Sequence, residues 1–277
     1  MPNTNPPIIL LPGLGANFRL FTPQLAAFPT TIVPAWPASD ANTKANAKTR
    51  PAAPIDREAE RLAVTLEREG RLNAPPVLVG FSFGGQIALS LARAAIHDRA
   101  QRPAAVVLIS APRTTDQLNA SFHRRAVLTA ACPAPIIRPV ARFILAPAFA
   151  RTLRLPREHA AQVNAMAREL DPRELKHHAR LARAWNFTDQ DHRKLRSAGI
   201  PVHHIHASAD PVIPPPPTTT PQLTILNERA HLLTLTHTNT VNAVIERAIA
   251  ALQANPNRQP TPTASKPFGA TPCFPWC

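Results

Sequence analysis

One stretch decides the fold of this chain: Val77-Leu78-Val79-Gly80-Phe81-Ser82-Phe83-Gly84-Gly85. An apolar, β-branched run leads into the pattern Gly-x-Ser-x-Gly, and a helical pattern follows over residues 86–92. A strand, a tight turn and a helix in this order expose the middle serine in a strained conformation, and glycine is needed beside it because a Cβ would clash. The stretch predicts that Ser82 is a nucleophile; the alternative is a glycine-rich turn with an idle serine.

Short apolar runs and helical patterns alternate on both sides of this stretch. The runs predict strands at residues 7–11, 30–36, 77–79, 104–110, 200–206 and 222–226. Apolar residues at helical spacing predict helices over residues 55–69, from the Ser82 turn to about His97, and over residues 241–252. Strands that alternate with helices predict an α/β fold with a mostly parallel, doubly wound sheet that has helices on both faces.

The alternation stops between about Arg113 and Arg196. This segment has no strand pattern, and its apolar residues recur at helical spacing over residues 139–155, 159–170 and 174–185. It is too long for an ordinary βα loop. We therefore expect a helical cap of residues 113–196, inserted into an α/β core of residues 1–112 and 197–252. A Pro-rich, disordered tail of residues 253–277 is expected to follow.

The length of 277 residues allows one large core or two small ones. Pro, Arg or polar residues interrupt every apolar run, so no membrane span is predicted. Residues 1–7 lack a basic region followed by an apolar one, so we expect no signal peptide and a cytoplasmic location. Cys132, Cys273 and Cys277 predict neither a disulfide framework nor a zinc site.

The net charge of +14 raises the question of nucleic acid. The arginines are spread along helices and loops, without a dense basic run or an aromatic-interleaved patch. This distribution favours a solvated surface over a nucleic-acid footprint. It leaves attraction to anionic substrates or membrane surfaces open.

A serine nucleophile needs a base, and the base needs a carboxylate to orient it. On a strand–turn–helix elbow the expected chain order is serine, acid, histidine. Asp210 follows the strand at residues 200–206, and His231 follows the strand at residues 222–226. Because the carboxyl ends of parallel strands share one edge of a sheet, Ser82, Asp210 and His231 can converge there.

Other residues compete for these roles. His237 is the main rival base, and Asp116, after the strand at residues 104–110, is the main rival acid. Asp210 has an alternative role as a turn residue before Pro211. Three histidines at positions 203, 204 and 206 suggest a metal site, but only two would share a strand face and no carboxylate or cysteine completes the set, so we expect no metal.

Acyl transfer also needs donors for an oxyanion. The backbone N–H of Phe83 follows the nucleophile at a helix N-terminus, where the dipole favours negative charge. Leu14 is the second candidate, since Gly13 and Gly15 allow close backbone approach. The alternative for Pro12–Gly15 is a plain turn; no Lys-Ser/Thr follows it, so we expect no bound nucleotide.

Four motifs together resemble the α/β-hydrolase family over residues 7–252. They are Leu11-Pro12-Gly13-Leu14-Gly15, Gly80-Phe81-Ser82-Phe83-Gly84-Gly85, Ala209-Asp210-Pro211-Val212-Ile213-Pro214 and Ala230-His231-Leu232. The resemblance implies a helical cap and a cofactor-free Ser-His-Asp mechanism. Many members carry His-Gly at Pro12-Gly13 and Gly-His at Ala230-His231, and the chain begins at the strand usually counted third, which leaves about six strands.

These observations predict a serine hydrolase that acts on an ester, thioester or amide-like bond of a small-molecule acyl substrate. A C–C bond hydrolase, a thioesterase or a lyase on the same scaffold is one alternative, and a non-catalytic basic binding protein is another. Four aromatic residues of the expected cap are candidates for the pocket or for the core: Phe143, Phe149, Trp185 and Phe187.

Overall fold

The computed structural model describes residues 6–36, 54–72, 74–97, 102–217 and 222–253. The predicted tail lies outside these residues except for Gln253, which ends the last helix. Cys273 and Cys277 also lie outside them.

Six parallel strands form one sheet in the order β2-β1-β3-β4-β5-β6. The strands are Ile8–Leu11 (β1), Thr31–Ile32 (β2), Val77–Phe81 (β3), Ala105–Ile109 (β4), Val202–Ala207 (β5) and Leu223–Leu226 (β6). The predicted α/β fold is confirmed. The strand predicted at residues 30–36 is only two residues long, and Pro34 lacks the N–H that a longer ladder would require.

Helices follow or separate the strands. They are Thr22–Ala27 (α1), Pro54–Arg68 (α2), Phe83–Ala94 (α3), Ala120–Ala131 (α4), Ala134–Val140 (α5), Ala146–Thr152 (α6), Arg157–Glu169 (α7), Pro172–Ala184 (α8), Asp189–Ser197 (α9), Leu233–Thr236 (α10) and Thr238–Gln253 (α11). A π-helical turn, Ala141–Leu145, joins α5 to α6, and short 3₁₀ turns lie at Phe18–Phe21, Ala95–His97 and Thr115–Gln117.

Successive side chains of each central strand enter two different cores, because side chains of a strand alternate between its faces. In β1, Ile8 and Leu10 join one core while Ile9 and Leu11 join the other. The first core also holds apolar residues of α10 and α11, and the second holds those of α2 and α3. Both faces of the sheet are therefore covered, which explains why its central strands are continuously apolar.

Residues 110–201, all of which are described, contain helices and turns but no strand. The sequence patterns predicted most of α6, α7 and α8, included only the end of α5, and missed α4 and α9. The Asn119 side chain caps α4 by accepting a hydrogen bond from the Phe122 N–H. A capping box between Thr188 and Asp191 starts α9, and this signal is readable in the sequence. The division into a core and a cap remains a prediction.

The strand order reverses between β1 and β3. The chain runs from β1 outward to β2 on one side, while β3, β4, β5 and β6 follow on the other side. In an open parallel sheet, the crevice beyond the carboxyl ends of such strands is where ligands bind. Here β1 leads into Pro12–Gly15, and β3 leads into Ser82.

A search for helices able to cross a lipid bilayer finds none in the part of the chain that the structure describes.

Candidate active site

Ser82 occupies the turn between β3 and α3 with φ 52° and ψ −116°. Its N–H donates to the carbonyl of Ile109 on β4 at 3.0 Å. A Cβ at Gly84 would overlap the carbonyl of Leu11, and one at Gly80 would lie 2.5 Å from the Gly84 carbonyl oxygen. Both glycines are therefore required by close backbone contacts, and the turn holds Ser82 in a conformation that L-residues rarely adopt.

Asp210 and His231 meet at the same edge of the sheet. His231 Nδ1 lies 2.7 Å from Asp210 Oδ2, and both residues are buried. The other carboxylate oxygen, Oδ1, accepts from the backbone N–H groups of Val212 and Ile213 at 2.8 and 3.1 Å. The aspartate is thus held from one side and offers its second oxygen to the histidine.

This contact determines which nitrogen of His231 carries the proton. A carboxylate oxygen accepts, so Nδ1 of His231 donates to Asp210. The neutral ring then has its lone pair on Nε2. A histidine oriented in this way can take a proton from a hydroxyl group.

Phe81, the last residue of β3, connects three loops. Its ring centroid lies 5.0 Å from that of His231. A Cβ at Gly13 would lie 2.9 Å from Phe81 Cδ1 and 3.3 Å from the Cβ of Ser82. The loops after β1, β3 and β6 therefore pack around one aromatic ring, with Ser82 directly after it. Sequence reasoning assigned Phe81 no role.

The two candidate oxyanion donors lie on adjoining loops. Phe83 is the first residue of α3, where an N–H has no partner within the helix. Leu14 lies in a turn closed by the Ala16 N–H and the Gly13 carbonyl, with Gly15 at φ 69°. Within the described residues, neither the Leu14 nor the Phe83 N–H donates to a backbone carbonyl.

Two buried histidines of β5 extend the contacts of Asp210. His206 Nε2 donates to the Ile213 carbonyl at 2.9 Å and lies 3.4 Å from Asp210 Oδ2. Its Nδ1 then accepts from His204 Nε2 at 3.1 Å. Burial lowers the pKa of both rings, so both are neutral. The sequence suggested His206 only as a metal ligand. Its proximity to Asp210 is visible only in the tertiary structure.

No group of three or more His, Cys, Asp or Glu residues in the described ranges has an arrangement that could hold a metal ion.

The rival acid and base lie elsewhere. His237 Nε2 is 2.8 Å from Glu228 Oε2. Asp116 is exposed on the 3₁₀ turn after β4. Among the described contacts, Asp210 is the carboxylate bonded to His231.

Residues between β4 and β5 cover this edge of the sheet. The Phe149 ring centroid lies 6.3 Å from that of His231, and the His178 ring lies 5.0 Å from that of Phe83. The side chains of Leu170 and Leu175 contact the position that a Cβ on Gly15 would occupy. His178 and the two leucines were not anticipated, because a helical pattern does not specify which distant turn its inner face will meet.

The remaining aromatic candidates are not at the site. Trp185 and Phe187 are buried and stacked, with centroids 5.7 Å apart. Phe143 points outward and is 66% exposed. Of the four candidates, Phe149 is the one that contacts His231.

The fold agrees with a comparison against protein families. The model of the alpha/beta hydrolase family matches residues 8–247. The chain belongs to this family. A search of curated protein sequences finds no match to it.

Solved structures of this hydrolase family resemble the chain over most of its length. A thermophilic esterase from Thermogutta terrifontis has a TM-score of 0.64 at 19% identity, covering 89% of this chain and 92% of that one. The esterase RhEst1 from Rhodococcus sp. ECU1013 has a TM-score of 0.60 at 21% identity, covering 89% and 91%. The enol-lactonase from Burkholderia xenovorans LB400 has a TM-score of 0.56 at 16% identity, covering 90% and 92%. At such identities the likeness concerns the fold.

Proposed function

We propose that this protein is a serine hydrolase that cleaves an ester or related acyl bond of a small-molecule substrate. The observation that carries the proposal is the 2.7 Å contact between His231 Nδ1 and Asp210 Oδ2, packed against the end of the strand that leads into the strained Ser82. A buried, oriented histidine beside an elbow serine is the arrangement that activates a hydroxyl nucleophile.

The reaction follows from the roles of these groups. His231 Nε2 takes the hydroxyl proton as Ser82 Oγ attacks the substrate carbonyl carbon. The N–H groups of Leu14 and Phe83 stabilise the oxyanion. The protonated His231 gives its proton to the leaving group, and the acyl group stays on Ser82. A water molecule, deprotonated by His231, then attacks the acyl carbon and releases the acid.

We further propose that residues 113–196 act as a cap that shapes the acyl pocket. Phe149 lies beside His231, and His178 lies beside Phe83, so both sides of the reacting position face residues between β4 and β5. The esterases among the similar structures are consistent with ester chemistry on this scaffold. The cytoplasmic location and the absence of a cofactor remain predictions from the sequence.

A fluorophosphonate probe tests the nucleophile directly, because it forms a covalent bond only with an activated serine. We expect labelling of the wild-type protein at a single peptide that contains Ser82. Ser82→Ala removes the labelling. Ser110→Ala is the matched control, since Ser110 follows the neighbouring strand β4 and also has a positive φ, of 45°.

Two results would contradict the proposal. One is a folded wild-type protein that the probe does not label. The other is a Ser82→Ala variant that keeps full activity on a panel of p-nitrophenyl esters of increasing acyl length. Activity on diketones but not on esters would favour C–C bond hydrolysis at the same serine.

A further inference from the structure

One helical run of the segment between β4 and β5 exposes several large apolar side chains. We call residues 134–152 the surface helix; it comprises α5, the π-turn Ala141–Leu145 and α6. It is continuous, since the residues at both junctions have right-handed helical angles. Phe143, Ile144 and Leu145 are 66%, 60% and 59% exposed.

The surface helix contacts the rest of the molecule through a narrow inner side. Ala146 is buried in the core, and Ala141 and Phe149 pack against that core. Three consecutive large residues of the π-turn are therefore left on the outside. Contiguous exposed apolar side chains of this kind mark an interaction site more often than chance exposure.

Exposed apolar residues are concentrated in this region of the chain. The described residues contain nine large apolar side chains that are exposed, and six of them lie within residues 120–157. These six are Val127, Leu128, Ile136, Phe143, Ile144 and Leu145.

Positive charge is concentrated in the same residues. Residues 120–157 contain seven arginines and no Asp or Glu. All seven arginines are exposed. Within the described part of the chain, none of the seven forms an ion pair. The region is therefore both apolar and strongly cationic, without acidic residues of its own to balance it.

Phe18, another exposed phenylalanine, has a different charge environment from Phe143. Phe18 is 50% exposed, and the Arg19 guanidinium lies 5.2 Å from its ring centroid. Arg142 lies 4.7 Å from the Phe143 ring in the same way. Arg19, however, is neutralised by Glu169 at 2.7 Å, whereas no such carboxylate pairs with Arg142 among the described residues.

We propose that the outer side of the surface helix docks on an anionic lipid surface. Apolar side chains on such a helix enter the boundary between headgroups and acyl chains, and arginines bind the phosphates around them. The charge argues against a second copy of this chain as the occupant. A symmetric contact through the surface helix would bring together two sets of its three arginines, Arg138, Arg142 and Arg151, and no acidic residue of the helix would balance them.

The docked helix would also be the helix that covers the candidate site. Phe149 belongs to the same helical run, three residues after the buried Ala146, and its ring lies 6.3 Å from that of His231. Docking therefore brings His231 close to the lipid surface. We infer that the acyl substrate is drawn from that surface; this second step rests on the proposed function, whereas the docking itself does not.

Flotation of the full-length protein with vesicles tests the docking. Vesicles of equimolar phosphatidylglycerol and phosphatidylcholine should bind the protein, and vesicles of phosphatidylcholine alone should bind it weakly. The triple variant Phe143→Ser/Ile144→Ser/Leu145→Ser should lose binding by about tenfold or more. Each of Arg142→Gln and Arg151→Gln should lower it about fivefold, in keeping with the contribution of one basic residue at an anionic surface.

Matched controls separate docking from general stickiness and from catalysis. Phe18→Ser removes an exposed phenylalanine beside a neutralised arginine and should leave binding unchanged. Ser82→Ala should bind vesicles like the wild type, so a failure of the hydrolase proposal would not affect the docking result. The triple variant should hydrolyse a water-soluble ester at the wild-type rate and lose only the turnover of a vesicle-embedded ester.

Four results would overturn the docking. The protein could bind neither kind of vesicle, or bind both equally. The triple variant could bind as well as the wild type. Finally, the wild type could be a dimer that ignores vesicles and becomes a monomer in the triple variant by analytical ultracentrifugation, which would assign this surface to self-association.

Discussion

Two neighbouring strands of the sheet are each followed directly by a serine with a positive φ. Ser82 follows β3 at φ 52°, and Ser110 follows β4 at φ 45°. Each N–H donates at 3.0 Å to the next strand, Ser82 to Ile109 and Ser110 to Ile205. The two residues therefore share their position after a strand, a positive φ and a hydrogen bond from the N–H to the next strand.

What surrounds the two hydroxyl groups differs. Ser82 is partly exposed and leads directly into α3. Ser110 is fully buried, its hydroxyl has no partner among the described residues, and Ala111 and Pro112 follow in place of a helix. A positive φ therefore does not identify a nucleophile. Ser82 is distinguished by its partial exposure and by the helix N-terminus that directly follows it.

Exchanging each hydroxyl for hydrogen tests this distinction most strongly. Ser82→Ala should lower kcat for a p-nitrophenyl ester by roughly 10⁴- to 10⁶-fold, as loss of an activated nucleophile does. Ser110→Ala should keep kcat/KM, since the removed hydroxyl is buried and unpaired. Steady-state kinetics of both purified variants measure the difference. Equal losses of activity in the two variants would show that Ser82 is not the distinct nucleophile.

Replacement of Asp210, which contacts His231, should lower kcat far more than replacement of Asp116, which follows β4. Asp210→Asn places an amide N–H₂ against His231 Nδ1, which then holds the wrong tautomer, so kcat should fall by about 10⁴-fold. Asp116→Asn, on the exposed turn after β4, should change kcat little. Circular dichroism should show that both variants are folded. A larger loss in Asp116→Asn would make Asp116 the acid.

The loop after β1 should affect catalysis through the contacts of Gly13 with Phe81 and Ser82 at the end of β3. Gly13→Ala puts a Cβ 2.9 Å from Phe81 Cδ1 and 3.3 Å from Ser82 Cβ. Gly13 does not have a positive φ, so its backbone tolerates alanine while Phe81 must shift. Because displacement of reacting groups by about 1 Å can cost about 10²-fold, we expect a loss of that order in kcat/KM.

Thermal unfolding serves as the control for Gly13→Ala, since a folded variant with full activity would show that Phe81 does not position His231. Gly84→Ala should instead prevent folding, because its Cβ would overlap the backbone carbonyl of Leu11.

Acidification should lower the free energy of unfolding through one buried histidine near each of the two strand ends. His178, beside Phe83, and His192, which donates to the Arg113 carbonyl at 2.8 Å, are buried, and burial lowers the pKa of each to about 4. Above pH 6.5 the rings are neutral in both the folded and the unfolded chain. As the pH falls from 6.5 towards 4, the unfolded chain takes up these protons first, so the free energy of unfolding decreases.

The decrease should amount to roughly 3 kcal/mol for each histidine. Urea unfolding at several pH values should show a flatter dependence for His178→Phe and for His192→Gln than for the wild type. Of the two, only His178→Phe should change the acyl-length preference, because only His178 contacts Phe83. If the free energy of unfolding depended on pH in both variants as it does in the wild type, these histidines would not be buried in the neutral form.

The sequence predicted the elements whose signals are local. The β3–Ser82–α3 turn needs glycines at fixed positions, and β1, β3 and β4 are continuous apolar runs. Where the signal was weak or ambiguous the predictions were wrong: β2 is shorter than predicted, since Pro34 cannot continue a ladder, and α4 and α9 were missed. Ser82, Asp210 and His231 follow β3, β5 and β6 in the structure, and their catalytic roles remain a prediction.

The sequence by itself determined the elbow, the order of serine, acid and histidine, and a run of residues 120–157 rich in arginine and free of carboxylates. These depend on backbone sterics, on the parallel direction of the strands and on composition. Only the tertiary structure decided which carboxylate contacts His231, which of the two serines with a positive φ is buried, and which arginines form no ion pair. Such facts depend on contacts between residues far apart in the chain, and no local pattern records them.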